Sequence, residues 1–172
     1  MLLRQTEDNS KAQEKRARFF KRLAGASARA LVLDYDGTLA PFCENLSVPS
    51  AALGELLQQI QRLANTRLVI VTGRRTQEVA SSLGMAEVVI RSATRNKGDI
   101  VRAVVRESGN TVPVAYLGGA QSDEDAFAAL QGYGLSALVR PQYRPTVADI
   151  WFPPAGLIAF LEDWIIACQG AR

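Results

Sequence analysis

Short apolar runs alternate with stretches of helical periodicity along most of the chain. "ARALVLDY" (28–35), "RLVIVTG" (67–73), "AEVVIRS" (86–92) and "VPVAYLG" (112–118) are rich in Val, Ile and Leu and read as buried strands. "LSALVR" (135–140) and "ADIWF" (148–152) read as two shorter ones. Between them, "PSAALGELLQQIQRLAN" (49–65) places Leu53, Leu56, Leu57, Ile60 and Leu63 at helical spacing. "RTQEVASSLG" (75–84) predicts a short helix stopped by Gly84, and "NKGDIVRAVVRESG" (96–109) a helix opened by Asn96 and closed by Gly109. "SDEDAFAALQGYG" (122–134) predicts a helix capped by Ser122 and Asp125. "PAGLIAFLEDWIIAC" (154–168) predicts a closing helix with a proline near its first turn. Strands alternating with helices predict a parallel sheet covered on both faces.

In such a sheet, ligands bind beyond the carboxyl ends of the strands. The residues at those ends are Asp34 and Asp36, Thr72, and Gly118 to Ala120. Two carboxylates two apart, in "LDYDGTL", repel one another in a dry site, and Mg²⁺ with phosphate relieves that repulsion. Gly37 permits a tight turn that presents backbone N–H groups to an anion, and Thr38 adds a hydroxyl. "VTGR" offers the Thr72 hydroxyl and the Gly73 turn at a sheet edge. Lys97, in "NKGD", lies in the first turn of a predicted helix, where the dipole disfavours a cation by roughly 0.3–1 kcal/mol. A lysine there is explained if it faces carboxylates or a bound phosphate. Asp-x-Asp, Thr and Lys together fit phosphoryl transfer through an aspartyl-phosphate.

Composition narrows the chemistry. The 172 residues suggest one domain with a sizeable core. The chain has no histidine, which removes histidine phosphatases, Ser-His-Asp triads and histidine-bound zinc. Cys43 and Cys168 form no CxxC pair, and Pro49 stands where a cysteine-phosphatase loop needs arginine. No GxxxxGK[ST] loop follows a strand. No apolar run approaches the ~18 residues of a membrane span, and the N-terminus lacks a signal-like stretch, so a cytoplasmic location is expected. Residues 1–30 hold eight basic and three acidic side chains, which sets a basic N-terminal helix (1–27) apart from a core (28–172). A solvated helix face explains that charge better than nucleic-acid binding, which no aromatic-interleaved basic surface supports.

In this order, the motifs resemble the haloacid dehalogenase (HAD) superfamily of phosphatases. Within it, "LDYDGTLAPF", "VTGR", "NKGDIVRAVV" and "YLG…SDEDAF" resemble the trehalose-6-phosphate phosphatases, over about residues 20 to 165. The resemblance implies a Rossmann-like three-layer α/β/α core with a mostly parallel sheet, and Mg²⁺ as cofactor. It implies Asp34 as nucleophile and metal ligand. Asp36 would be general acid and then base, and would give its backbone carbonyl to the metal. Gly37, Thr38, Thr72, Gly73 and Lys97 would hold the transferring phosphoryl group, and Asp123 would ligate the metal, directly or through water. The implied substrate is a phosphorylated sugar or another phosphate ester.

Two departures from the family pattern stand out. The family carries a cap domain between the segments matching "VTGR" and "NKG". Only 22 residues, Arg75 to Asn96, separate them here. An uncapped site is open to water and favours a larger substrate, or a partner or second copy acting as lid. The family also reads "GDDxTDEDAF" where this chain reads "GGAQSDEDAF". Gly119 replaces the acid expected to bind Mg²⁺, and Ala120 replaces its neighbour. Two readings follow: a weak Mg²⁺-dependent phosphatase, or an impaired pseudo-phosphatase that binds or regulates. A phosphoacceptor receiver domain fits poorly, since no aspartate ends a middle strand.

Overall fold

The computed structural model describes residues 2–41, 47–85, 89–92 and 96–170, without the side chains of 2–9 and 89–92. Cys43 and the start of the third predicted strand (86–88) lie outside them. The strands are β1 (Arg29–Asp34), β2 (Thr66–Thr72), β3 (Val89–Ser92), β4 (Val114–Gly118), β5 (Leu135–Val139) and β6 (Ile150–Phe152). The helices are α1 (Leu2–Ala24), α2 (Ala51–Gln61), α3 (Thr76–Leu83), α4 (Lys97–Ser108), α5 (Glu124–Leu130) and α6 (Gly156–Gln169). The six strands run in the order β3-β2-β1-β4-β5-β6, and every pairing is parallel. The first strand in the chain is thus an inner strand of the sheet, and the two edges are its shortest strands, four and three residues long.

Residues of period two divide the core. Leu31 and Leu33 face α1, α2, α3 and α6, packing with Leu57, Ile60, Val79, Phe160 and Trp164. Ala30 and Val32 face α4 and α5, packing with Val101, Val104, Phe127 and Leu130. Burying apolar side chains on both faces is what an all-parallel sheet requires. α1 belongs to this core: Phe19 and Leu23 are buried in it, and the Phe19 ring lies 6.1 Å from Trp164. Its basic residues reach the body of the protein through Lys15–Asp149 and Arg16–Asp163 ion pairs.

The caps follow the sequence closely at α4. The Asn96 side chain accepts the Gly98 N–H at 2.7 Å, and Gly109 ends the helix at φ +93°. Gly84 ends α3 in the left-handed conformation. α5 differs from the prediction. It is shorter, and no Ser122 side chain caps it. Among the described residues no side chain caps α5; a 3-10 turn, Gln121–Asp123, leads into it, and there the Asp123 carboxylate accepts the Ala120 N–H at 2.8 Å. No helix of the described residues is long and apolar enough to cross a membrane. Cys168 is a free, half-buried thiol.

Candidate functional site

β1 turns the even-numbered side chains toward α4 and α5, so Asp34, last in the strand, points to the same side as Val32. α4 starts there. Its first residue is Lys97, and Lys97 Nζ lies 2.7 Å from Asp34 Oδ1 and 2.7 Å from Asp123 Oδ1. All three side chains are buried. Tyr116, on the same side of β4, donates its hydroxyl to Asp123 Oδ1 at 2.6 Å. Gly118 follows two residues later on that face. A Cβ there would stand 2.4 Å from the Asp123 carboxyl carbon, so only glycine leaves room for the carboxylate. Thr38 completes the group, donating to Asp34 Oδ2 at 3.3 Å.

Two carboxylates share one ammonium, and Asp34 is the one whose charged form is disfavoured. Burial, and then the Asp123 charge, push Asp34 up to about 7 against the pull of Lys97. Burial pulls Lys97 down, but Asp34 and Asp123 outweigh it and hold Lys97 above its ordinary value. The Tyr116 hydroxyl is raised by burial and by Asp123, which keeps it a proton donor to that carboxylate.

Asp36 sits in the turn beyond the strand, its Oδ1 2.6 Å from Arg74 Nε. Gly37 takes φ +80°, which requires glycine, and its N–H is spent on the Ala40 carbonyl at 2.7 Å. Thr72 is fully buried at the end of β2, with its hydroxyl oxygen accepting the Arg74 N–H at 3.0 Å. Neither Thr72 nor the exposed Gly73 hydrogen-bonds Asp34 among the described residues. The structure therefore gathers Asp34, Thr38, Lys97 and Asp123 into one contact network, with Asp36, Gly37, Thr72 and Gly73 on its rim.

The remaining acids of "SDEDAF" do other work. Glu124 accepts from Arg144, from the Thr146 hydroxyl at 2.9 Å and from the Val147 N–H at 3.0 Å, pinning the connection between β5 and β6. Burial works upward on Glu124, and those donors outweigh it and lower it. Arg144 also donates to the Ala120 carbonyl at 2.9 Å. Asp125 is exposed. The residues missed in the sequence are Arg74, Tyr116 and Arg144. A tyrosine inside an apolar strand needs a partner for its hydroxyl, which was the available signal for Tyr116.

No protein-family model and no curated protein matches the chain. Solved structures do. Trehalose-6-phosphate phosphatase of Aspergillus fumigatus matches at TM-score 0.75 and 18% identity, covering 88% of this chain and 97% of that one. A cobalt-bound deoxy-D-mannose-octulosonate 8-phosphate phosphatase of Haemophilus influenzae matches at 0.63 and 20%, covering 87% and 92%. A Legionella pneumophila protein described as a hydrolase of HAD superfamily subfamily III A matches at 0.68 and 20%, covering 92% and 93%. The chain shares their fold, a HAD-like α/β core. At these identities the likeness concerns the fold alone.

Position 119, expected from the sequence to bear a metal-binding acid, can be tested for space. A Cβ at Gly119 would lie 2.4 Å from the Val139 carbonyl oxygen and 3.6 Å from the Gly37 carbonyl oxygen. The end of β5 occupies the space a carboxylate would need, so the acid cannot be restored here without moving backbone. Asp123 has both oxygens committed to Lys97, Tyr116 and Ala120, and Asp36 is paired with Arg74. No group of three or more Asp, Glu, Cys or His converges among the described residues. The shortage of positive charge around Asp34 and its lightly held Oδ2 fit a Mg²⁺ bound by one carboxylate together with substrate phosphate, the usual mode for this ion. They do not fit a site in which position 119 also ligates.

Proposed function

We propose that the chain is a phosphate-monoester hydrolase that works through an aspartyl-phosphate at Asp34, and that it is slow. The observation behind this reading is Lys97 held 2.7 Å from Asp34 at the carboxyl end of the central strand, against the dipole of its own helix. In the proposed reaction an Asp34 oxygen attacks phosphorus, and the bond from phosphorus to the ester oxygen breaks. Asp36 gives the leaving oxygen its proton, then takes one from the water that cleaves the aspartyl-phosphate. Lys97 and the Thr38 and Thr72 hydroxyls face the equatorial phosphoryl oxygens, while Gly37 and Gly73 keep the approach free of side chains. Asp123 acts through Lys97, holding its ammonium between the two acids. Mg²⁺ held by Asp34 and the Asp36 carbonyl would neutralise phosphate oxygens, with Asp123 contributing charge rather than an open oxygen.

Only α3 and β3 are described between β2 and α4, so no described residues form a cap there. This favours a phosphate ester larger than a lone sugar phosphate, or a protein surface that closes the site. A cytoplasmic location accords with such substrates.

A second reading, a pseudo-phosphatase that binds phosphate esters without turnover, draws on two features. Asp36 is tied to Arg74, and position 119 is closed to an acid. Hydrolysis of p-nitrophenyl phosphate at saturating Mg²⁺ separates the two. We expect turnover that falls to background in Asp34→Asn. Absence of any Asp34-dependent turnover overturns the hydrolase reading and leaves the binding one.

A further inference from the structure

The amino-terminal edge of the sheet, at the opposite end of β1 from Asp34, carries a polar cleft. It has a volume of about 440 Å³, and Arg29, Gln61, Asn65, Thr66, Arg67 and Ser108 are among its lining residues. Arg29 and Asp34 begin and end the same six-residue strand, which separates them by roughly 17 Å.

Arg29 is only 7% exposed, and among the described residues its one side-chain hydrogen bond is Nη2 to the Ala26 carbonyl at 3.0 Å. Its Nε and Nη1 are buried without a hydrogen-bond partner. Two more polar atoms in the wall of the same cleft share that condition: Thr66 Oγ1, from β2, and Ser108 Oγ, from the last turn of α4. Four unpaired polar atoms, two of them on the buried Arg29 guanidinium, thus belong to three elements that line one cleft. Burying a charge in this way is costly unless an opposite charge and hydrogen bonds compensate it. At the rim, Arg67 is ion-paired with Glu107, both side chains partly exposed. Such a surface pair opens cheaply.

We propose that this cleft binds the carboxylate group of a small polar metabolite. The two arginines and Glu107 leave one positive charge, which suits a monoanion. α2 and α4 both end here, and their carbonyl ends disfavour any further negative charge. A carboxylate therefore fits better than phosphate dianion. Arg29 neutralises it, Thr66 and Ser108 donate hydroxyl hydrogens to it, and the Gln61 and Asn65 amides suit a hydroxylated or amidated remainder.

Lactate and inorganic phosphate, each titrated into ¹⁵N-labelled full-length protein at neutral pH, test this. Lactate is expected to give saturable amide shifts at residues 28–30, 66–68 and 107–109. Phosphate is expected to leave those amides in place. The paired substitution Thr66→Val with Ser108→Ala should weaken lactate about tenfold, the equivalent of ~1.4 kcal/mol. Glu107→Gln, which removes a negative charge from the rim, should tighten it. The proposal is overturned if lactate produces no saturable shift at those amides, if phosphate shifts them as strongly, or if both variants bind lactate as the wild type does. Phosphate shifts at residues 34–38 and 97 report on the other pole, so loss of the hydrolase reading would not mimic any of these results.

Discussion

Asp34 is acidic by type, but in the fold it is a carboxyl group poised near neutrality, raised first by burial and then by the Asp123 charge beside it. Removing the Asp123 charge has a definite sign. Asp123→Asn keeps an oxygen for Lys97 and Tyr116 but deletes the charge that raises Asp34, so the Asp34 pKa falls from about 7 toward the carboxylate range. The acid limb of the pH–rate profile, or of the Asp34 carboxyl carbon shift read by NMR, moves to lower pH. An unchanged limb would remove Asp123 from that role. Gly119→Asp carries the opposite lesson. It looks like a restored metal ligand, yet its Cβ meets the Val139 carbonyl oxygen at 2.4 Å. We expect a loss of about 1–3 kcal/mol in urea denaturation and no gain in Mg²⁺-dependent turnover. Much of this site was legible residue by residue. Asp34, Asp36, Thr72 and Lys97 each sit directly after a strand or a helix cap, where local pattern fixes position. The partners of Arg74, Tyr116 and Arg144 were not legible, since tertiary packing alone brings Asp36, Asp123 and Ala120 to them. Gly119 read as a lost acid, and only the neighbouring strand shows that the space is filled.

The helices hold this arrangement at a close approach. α4 and α5 meet where Gly98 faces the Asp125 carbonyl, and a Cβ at 98 would stand 2.6 Å from that oxygen. Gly98→Ala should therefore cost about 1–3 kcal/mol and displace Lys97, next in the chain, which weakens phosphate binding as well as stability. Gly73→Ala is the control, because a side chain there meets nothing within 4 Å. Equal melting temperatures for the two variants would contradict the packing argument. Element boundaries followed the sequence wherever a cap residue marked them, as at Asn96, Gly84 and Gly109. α5 was misread at both ends. In place of the Ser122 cap a 3-10 turn leads into the helix, closed by the Asp123 carboxylate on the Ala120 N–H, and the last predicted turn is broken by Gly132 at φ +82°.

At the scale of the molecule, two carboxyls with opposite shifts set how stability responds to pH. Asp34 is raised, so its contribution is full below about 3.8, the unfolded value, and is lost as pH rises through about 7. Glu124 is lowered, so its contribution is present above 4.5 and is lost as pH falls through its folded value. Stability should therefore peak in mildly acidic solution and decline toward neutrality, by at most about 1.4 kcal/mol per pH unit for the one proton involved. Asp34→Asn should flatten the decline on the neutral side in a series of denaturation curves. A neutral slope that survives the substitution would assign it to another group. The sheet has a further consequence that concerns other copies of the chain. One border is the three-residue β6. A foreign strand would find few free backbone groups to pair with there, so that border is guarded against edge-to-edge growth into aggregates by its brevity.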